Sequence, residues 1–356
     1  MSDYLLDPVR LQFEISSMCN ALCLGCVRTD SLTFNNKKDL IPNKEILEVD
    51  TFKQIILSPS FSSANEIEFC GTIDDPLMHP NFLDMLRFLT ELKDRKFRVL
   101  IHTNASLRSP EYFAEMAGIL RQLDSHVVRF SVDGLADTNH IYRQNTNWKK
   151  IMDNASAYIA AGGYAFWQFL IFPWNQHQVA EAKELSVAMG FKEFASRHDR
   201  SFTTQIGLEN IQKIKLSDVK KTKSAASVKK LIDSNQEIAK DAINCDNKNK
   251  KMYFIGYDSR LWPCCFLHNG FMSLNDAKVE LMTQQLIDNY DDPDWNKLNK
   301  YTVEQVLQHR FYRQDLSLSW QSNQHGTAVT DRIMRCSEVC GVKQLEQLPI
   351  GNYKVL

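Results

Sequence analysis

The segment RLQFEISSMCNALCLGC, residues 10–26, joins a short apolar alternation to a loop that contains three cysteines. The alternation over residues 10–16 predicts a β-strand. Cys19, Cys23 and Cys26 follow it with the spacing C-x3-C-x2-C. The N-terminus MSDYLLDPVR lacks the features of an export signal, so clustered thiols indicate metal ligands or redox groups rather than a disulfide framework.

From this loop to about residue 200, predicted strands and helices alternate. Further strands are predicted at 66–70, 97–103, 126–134, 164–172 and 191–196, and helices at 51–59, 80–94, 110–123, 147–161 and 178–190. Six strand–helix repeats favour an α/β fold, a parallel sheet curled into a partial (β/α)6 barrel like an incomplete TIM barrel. In such barrels the chemistry lies on loops that follow the carboxyl ends of strands, which is where the cysteine loop is predicted.

The pattern divides the chain into three parts. Residues 1–200 carry the barrel pattern, and residues 201–244 are polar and lysine-rich, which predicts a partly helical linker. Residues 245–356 hold five of the nine cysteines and predict a small domain organised by metal. Within it, KMYFIGYD and RLWPC flank a predicted hairpin turn at Asp258–Ser259.

Composition argues against several classes of function. The net charge of −1 gives no overall field that would attract nucleic acid, and the lysine-rich run 213–230 fits a solvated helical face. No apolar run approaches the length of a membrane span. We therefore expect a cytoplasmic protein without a membrane or nucleic-acid partner.

The three-cysteine loop by itself leaves the metal open. A structural zinc ion takes four closed ligands, so a zinc site would need a distant fourth group. An iron–sulfur cube also takes four ligands, and three protein thiolates would leave one iron open to an outside ligand.

The cysteine loop resembles that of the radical S-adenosylmethionine (radical SAM) superfamily, and three further motifs do so in order. FCGTIDDPLMHP (69–80) is similar to the Gly-Gly-Glu-Pro loop of this family, TNAS (103–106) to Thr-Asn-Gly, and SVDG (131–134) to Ser-x-Asp-Gly. Each follows a predicted strand. The chain departs from the family at Asp74, where Gly is usual, and at Gly25, where an aromatic residue usually packs near the adenine.

The resemblance implies that Cys19, Cys23 and Cys26 hold a [4Fe-4S] cluster whose open iron binds S-adenosylmethionine. One electron would cleave this cofactor to methionine and a 5′-deoxyadenosyl radical, which abstracts hydrogen from a substrate. The implied cofactor-binding residues are Gly71, Thr72, Asp74, Asp75, Pro76, Thr103, Asn104, Ser131, Asp133 and Arg143. A surface salt bridge is the alternative for Arg143, and FLIFPWN (169–175) would supply apolar contacts to the adenine.

The later cysteines resemble the SPASM or twitch region found at the C-terminus of some members. This implies one auxiliary [4Fe-4S] cluster held by Cys245, Cys264, Cys336 and Cys340, with structural zinc as the alternative. Ser259 occupies a position where that region usually has Gly. Two cysteines remain, Cys70 and Cys265, which are candidate hydrogen-atom donors or inert side chains.

The implied substrate is a ribosomally synthesised peptide that is crosslinked, epimerised or shortened by backbone excision. A small-molecule radical dehydrogenase or carbon–carbon bond-forming enzyme is the second hypothesis, and a non-catalytic zinc-stabilised binding protein is a third of another class. An external electron donor such as flavodoxin or ferredoxin is implied. Because the first predicted strand begins near residue 10, a peptide substrate would need a separate recognition protein or direct docking.

Overall fold

The structure is a computed structural model of the 356-residue chain, and it describes residues 7–24, 26–29, 44–198, 242–268 and 276–342. The chain divides into two compact units. The larger unit is built from residues 12–49 and 65–219, and the smaller from residues 1–11, 50–64 and 220–354. Most of the predicted linker, as far as residue 241, and the lysine-rich run lie outside the described residues.

The larger unit is organised around a parallel sheet. Its strands are β1 (Arg10–Phe13, of which the last two residues belong to this unit), β2 (Glu66–Phe69), β3 (Arg98–Thr103), β4 (Ser125–Ser131), β5 (Ala165–Ile171) and β6 (Glu193–His198). They lie in the order β6-β5-β4-β3-β2-β1, and β2 to β6 pair in parallel. Strands that follow one another in the chain are therefore neighbours in space, as the prediction of a partial (β/α)6 barrel requires. That prediction is confirmed, and the sheet is not closed.

Helices connect these strands. In the larger unit they are α2 (Phe82–Glu91), α3 (Pro110–Leu120), α4 (Asn139–Tyr142), α5 (Trp148–Ala160) and α6 (Val179–Met189), while α1 (Val49–Leu57) falls almost wholly in the smaller unit. Ser109 and Asn147 begin α3 and α5 as N-caps, since each side chain accepts a backbone N–H three residues later. The observed helices begin and end within three residues of the predicted ones.

One face of the sheet packs against the helices and forms the core. Phe69 contacts Phe82 of α2 edge-on at 5.0 Å, and Phe130 lies 5.7 Å from Tyr158 of α5. Trp167 of β5, whose ring contacts Phe191 and Phe194, is fully buried. Large apolar side chains that alternate along the strands, aromatic in β2, β4 and β5, thus fix which face meets the helices.

The smaller unit contains short strands and helices. Its strands are β7 (Ala242–Ile243), β8 (Met252–Ile255), β9 (Leu261–Trp262) and β10 (Gly341–Val342), and its helices are α7 (Asp246–Asn249), α8 (Cys265–His268), α9 (Asp276–Thr283), α10 (Val303–Gln308), α11 (Leu316–Gln321) and α12 (Met334–Cys340). Strands β8 and β9 form the predicted antiparallel hairpin, and β7 pairs with β10. The division of the chain at residues 200 and 245 stays a prediction.

The hairpin turn has the backbone that a glycine would favour. Ser259 has φ +63°, in the left-handed region, and its N–H donates to the carbonyl of Gly256 at 3.0 Å. A Cβ at Gly256 would overlap the ring of His268, so the backbone passes close to that side chain. No helix among the described residues is both long and apolar enough to cross a membrane.

Candidate functional site

The three-cysteine loop follows β1 and is tied to the segment after β4. The N–H of Leu22 donates to the carbonyl of Gln144 at 2.9 Å, and the Asn145 side chain donates to the carbonyl of Asn20 at 2.7 Å. The N–H of Cys26 donates to the carbonyl of Cys23 at 3.2 Å. These bonds hold the loop at the carboxyl ends of the strands, where the sequence predicted it.

The three thiols lie in a crowded, partly buried environment. Burial, and then the nearby Asp75 carboxylate, raises the pKa of the Cys19 thiol, to which Cys23 and Cys26 add. Burial also raises the pKa of Cys23 to about 11, although Arg143 opposes that shift. A bound cationic centre would relieve the mutual repulsion among the thiolates.

Asp75 joins the loop after β2 to the end of β3. Its carboxylate accepts hydrogen bonds from the Thr103 hydroxyl at 3.0 Å, the Asn104 N–H at 2.8 Å and the Leu77 N–H at 3.1 Å. Burial raises the pKa of Asp75, against these hydrogen bonds. The Leu77 bond makes Asp75 the N-cap of a single 3-10 turn that begins at Pro76. Asp75, Thr103 and Asn104, three of the predicted cofactor-binding residues, are therefore in contact. The Asp75 carboxylate already accepts hydrogen bonds that join the two loops.

Asp74 turns toward β1. Its Oδ2 accepts from the Ser16 N–H at 3.0 Å, and its Oδ1 is buried with no hydrogen-bond partner in the described part of the chain. Burial, followed by repulsion from Glu14 and Asp75, raises its pKa well above the ordinary value. A Cβ at Gly71 would overlap this carboxylate, so glycine is required there. β1 ends at Phe13, before the end of the predicted strand at residue 16, and the Ser16 N–H donates to Asp74. Thr72 is exposed.

Asn104 links the end of β3 to the cysteine loop. Its Nδ2 donates to Asn20 Oδ1 at 2.8 Å and lies 3.8 Å from the Cys19 sulfur. Ala105 follows with φ +57°, in the left-handed region that favours glycine. It stands at the position where the Thr-Asn-Gly motif of the radical SAM family has Gly.

Asp133 and Arg143 form a buried ion pair rather than a surface salt bridge. Arg143 Nε donates to Asp133 Oδ2 at 2.7 Å, and Asp133 is fully buried. Burial opposes the charge of Arg143, but Asp133 and Cys23 outweigh it and raise the Arg143 pKa well above its ordinary value. A second guanidinium nitrogen lies 3.7 Å from the Cys23 sulfur. Asp133 Oδ1 also accepts the Leu170 N–H at 2.6 Å, so this carboxylate joins β4 to β5.

An aromatic group stands beside the cysteine loop, and sequence reasoning missed one of its members. Phe172 and Trp174 of the predicted apolar segment stack with centroids 4.7 Å apart. Tyr142 lies 4.5 Å from Phe172, and its environment includes Cys23 and Cys26. The sequence signal that could have identified Tyr142 is its place next to Arg143 in the YRQN motif. Gly25 lies outside the described residues, and Ser131 ends β4 half-buried.

The four predicted auxiliary cysteines meet in the smaller unit. Cys245, Cys264, Cys336 and Cys340 line one pocket, with Cys336 and Cys340 on the same face of α12. A hydrogen bond from the Cys245 thiol lowers the pKa of Cys340 to about 6, while that bond and burial raise the pKa of Cys245. Burial raises the pKa of Cys336 to about 12. The apolar members of the pocket wall are Ile243, Pro263, Phe266, Leu267, Leu316, Trp320 and Val339.

The spacing of the thiols bears on the alternative of zinc. Zinc–sulfur bonds of about 2.3 Å in a tetrahedron place sulfurs roughly 3.8 Å apart. Among the described residues, the one trio of His, Cys, Asp or Glu side chains whose ligand atoms all lie within 4.8 Å of one another is Glu68, Cys70 and His102. Among the described residues neither cysteine set supplies such a trio, and the choice between zinc and a cluster stays a prediction.

The two remaining cysteines lie in different surroundings. Cys70 follows β2, is half-buried, and belongs to the trio with Glu68 and His102. Cys265 begins α8 next to Cys264 and is also half-buried. Hydrogen-atom donation by either thiol stays a prediction.

Comparisons with known proteins point to one class of fold. No family model matches the chain. The tungsten-containing aldehyde ferredoxin oxidoreductase cofactor-modifying protein of Pyrococcus furiosus is 29% identical over 131 residues, which span 37% of this chain and 32% of that protein.

Two solved structures are similar over most of the chain. The structure of anSMEcpe with bound AdoMet matches with a TM-score of 0.51 and 13% identity, over 87% of this chain and 83% of that one. Streptococcus suis SuiB bound to the precursor peptide SuiA matches with a TM-score of 0.50 and 13% identity, over 77% of this chain and 64% of that one. Both proteins are radical SAM enzymes. The chain thus has the α/β partial-barrel fold of the radical SAM enzymes.

Proposed function

We propose that the chain is a radical SAM enzyme and that Cys19, Cys23 and Cys26 hold its [4Fe-4S] cluster. When bound, this cluster supplies the electron that cleaves S-adenosylmethionine to methionine and a 5′-deoxyadenosyl radical. The observation that supports the proposal is that three thiols and three strand-end motifs converge at the carboxyl ends of one parallel sheet. Three protein thiolates suit a cube that keeps one iron for the amino and carboxylate groups of the cofactor.

The chain's own residues fit this group. The Arg143 guanidinium, 3.7 Å from the Cys23 sulfur, offsets the negative charge of thiolates in a partly buried loop. Asp74 Oδ1, buried without a partner among the described residues, offers an acceptor for the cofactor's ammonium group. Asp75, Thr103 and Asn104 hold the surrounding loops in register through their mutual hydrogen bonds.

Tyr142, Phe172 and Trp174 provide an apolar surface for the adenine. In the resembling family an aromatic residue before the third cysteine takes this role, and here that position is Gly25. Tyr142 lies near Cys23 and Cys26, and this supports the proposal that Tyr142 takes the place of the aromatic residue that the family has before the third cysteine. Ser131, at the end of β4, is the hydroxyl proposed for the ribose.

The four cysteines of the smaller unit hold an auxiliary [4Fe-4S] cluster in this proposal. Their position in one pocket with mainly apolar walls supports a permanently bound group that exchanges electrons and not ligands. Its role would be to accept an electron from a substrate radical. An external donor such as flavodoxin or ferredoxin would reduce the first cluster in the cytoplasm.

The proposed substrate is a ribosomally made peptide, modified by crosslinking, epimerisation or backbone excision. SuiB, which shares the fold, was solved with a precursor peptide bound, and this supports the proposal. The second candidate is a small molecule, favoured by the curated relative from Pyrococcus furiosus, whose described action is on a cofactor. A separate peptide-recognition protein would accompany the first candidate only.

The test is cleavage of S-adenosylmethionine by anaerobically reconstituted protein with dithionite. Wild-type protein should release 5′-deoxyadenosine, measured by liquid chromatography, even without substrate. The combined variant Cys19→Ala, Cys23→Ala and Cys26→Ala should release none, because a cube without its ligands is lost. Leu22→Ala is the matched control, since that exposed side chain lies in the same loop. Undiminished 5′-deoxyadenosine from the triple variant would refute the proposed function.

A further inference from the structure

A row of charged and polar side chains crosses the face of the sheet that is turned away from the helices. Glu68 of β2, His102 of β3 and Arg129 of β4 lie on this face, and His102 and Arg129 are directly paired in the β3–β4 register. The neighbouring residues on the opposite face, such as Phe69 and Phe130, are fully buried and aromatic. Charged side chains placed in the interior of a sheet need partners, because desolvation is otherwise uncompensated.

His102 cannot satisfy both of its neighbours with one ring nitrogen. Its Nε2 lies 3.1 Å from Glu68 Oε1 and 3.5 Å from an Arg129 guanidinium nitrogen. Glu68 needs a hydrogen on Nε2, whereas Arg129 needs a lone pair on the same atom. The shorter contact to Glu68 favours the hydrogen on Nε2, and the Arg129 nitrogen then faces an N–H group that cannot accept.

With the hydrogen on His102 Nε2, the Arg129 guanidinium has no carboxylate partner among the described residues, and its Nε has no hydrogen-bond acceptor there. The Nε is buried, and no described carboxylate forms an ion pair with the guanidinium within 4.0 Å. Its other contact is with the ring of Phe166, whose centroid lies 5.3 Å away. An aromatic neighbour orients the guanidinium by a cation–π contact and leaves its hydrogen-bond donors available.

A bound metal cation would suit these groups less well. Glu68, Cys70 and His102 have ligand atoms within 4.8 Å of one another, which alone would be compatible with a metal ion. The Arg129 guanidinium, however, lies 3.5 Å from His102 Nε2, the ring nitrogen that contacts Glu68, and it would repel a cation bound there. The geometry therefore favours an anion at Arg129 over a cation at the trio.

We propose that Arg129 is a substrate-binding residue that pairs with a carboxylate of the substrate, such as an acidic side chain or the C-terminus of a peptide. The planar donor fork of arginine matches a carboxylate in a bidentate arrangement. Ser131, proposed above for the ribose, lies two residues further along the same face of β4, at roughly 7 Å by the rise of a strand. The relevance of the site to catalysis rests on the proposed function. A substrate held at Arg129 would lie close to the 5′-deoxyadenosyl radical only if Ser131 binds the ribose of the cofactor.

The test uses glutarate as the probe and measures binding to the reconstituted full-length protein by isothermal titration calorimetry. Wild-type protein should bind glutarate more tightly than its uncharged analogue glutaramide. Arg129→Gln should weaken glutarate binding at least tenfold, and Arg129→Lys should restore part of it. The matched control is Arg121→Gln, an exposed arginine on the same unit, which should bind like wild type. Inorganic phosphate, titrated in parallel, shows whether the site prefers phosphate to carboxylate.

Each outcome decides the proposal. Equal glutarate affinity in wild type and Arg129→Gln would overturn it, as would equal binding of glutarate and glutaramide by wild type. Tighter binding of phosphate than of glutarate would overturn the carboxylate assignment. If Arg129→Gln fails to fold, two measurements still decide the proposal. They are the comparison of glutarate with glutaramide on wild type and the glutarate affinity of Arg129→Lys. Binding requires no cofactor cleavage, so absence of 5′-deoxyadenosine with intact glutarate binding would refute the proposed function alone.

Discussion

The two cysteine sets of this chain are built from opposite surroundings. The set of three lies among groups that carry charge or donate hydrogen bonds, including Arg143, Asp75 and Asn104. The set of four lies in a pocket whose walls are mainly apolar, with Phe266 and Trp320 among them and Arg335 as its one charged lining residue. Polar surroundings suit a centre that binds and releases a charged cofactor, and apolar walls suit a centre that stays bound. In the proposed function, the same ligand chemistry would stand in two environments that favour different roles.

The largest expected effect concerns iron content. Two cubes give about eight irons per chain, by four irons each. The triple variant at Cys19, Cys23 and Cys26 should keep about four, and the quadruple variant to alanine at the C-terminal cysteines should keep the other four. Metal analysis of both proteins by mass spectrometry measures this. Zinc instead of iron in the triple variant would remove the proposed electron-acceptor role of the smaller unit.

The second prediction compares the arginine beside each cysteine set. Arg143→Ala should cost about 3–5 kcal/mol of unfolding free energy, because it leaves the buried Asp133 carboxylate without its partner. Arg335→Ala should cost no more than about 1 kcal/mol, since Arg335 pairs with Glu338 one helical turn away where both remain partly exposed. Chemical denaturation of both variants measures the difference. Equal losses would show that burial of the ion pair does not distinguish the two regions.

These comparisons also show what the sequence could and could not reveal. The place of the three-cysteine loop and of the strand-end motifs was predictable, because each depends on spacing within a short segment and on the place of that segment after a strand. The meeting of the four later cysteines followed only from the resemblance, and the role of both sets as ligands stays a prediction. The partner of Arg143 was not, since Asp133 reaches it only through the fold. The row of Glu68, His102 and Arg129 was invisible for the same reason: its members lie on three strands, and their alignment depends on a register that no local pattern encodes.

A third prediction concerns pH and the loop that contains Asp75. His79 is buried; its Nε2 donates to the carbonyl of Leu47 at 3.0 Å, and its Nδ1 accepts the Asn81 N–H at 3.1 Å. Burial lowers its pKa below the ordinary value of 6.5. Above pH 6.5 the neutral ring costs nothing in either state. As the pH falls through 6.5, the unfolded chain binds a proton that the folded chain resists, so stability falls.

The measurement for His79 is the free energy of unfolding from pH 7.5 to pH 5. His79→Gln should lose part of the decrease that wild type shows on acidification, even if it is less stable at pH 7.5. His325→Gln is the counterpart in the smaller unit, where burial also lowers the pKa. An unchanged pH slope in His79→Gln would contradict the assignment of a buried neutral ring.

The smallest effect concerns the two left-handed positions at which the resembling family has glycine. Ala105 in the larger unit has φ +57° and Ser259 in the smaller has φ +63°. A side chain in this conformation costs about 1–2 kcal/mol, which glycine would recover. Against this stand the lost burial of a methyl group, about 0.8 kcal/mol, and the greater freedom of glycine in the unfolded chain, about 0.5–1 kcal/mol. Ala105→Gly should therefore change the unfolding free energy by less than about 0.8 kcal/mol in either direction. Ala117→Gly is the matched control, since Ala117 is equally buried but helical, and it should cost about 1 kcal/mol or more.

Ser259→Gly should resemble Ala105→Gly, with a small added loss because the Ser259 hydroxyl donates to the carbonyl of Asp258. If Ala105→Gly destabilised the protein as much as Ala117→Gly, the left-handed turn would carry no strain, and the likeness of TNAS to Thr-Asn-Gly would lose its structural basis.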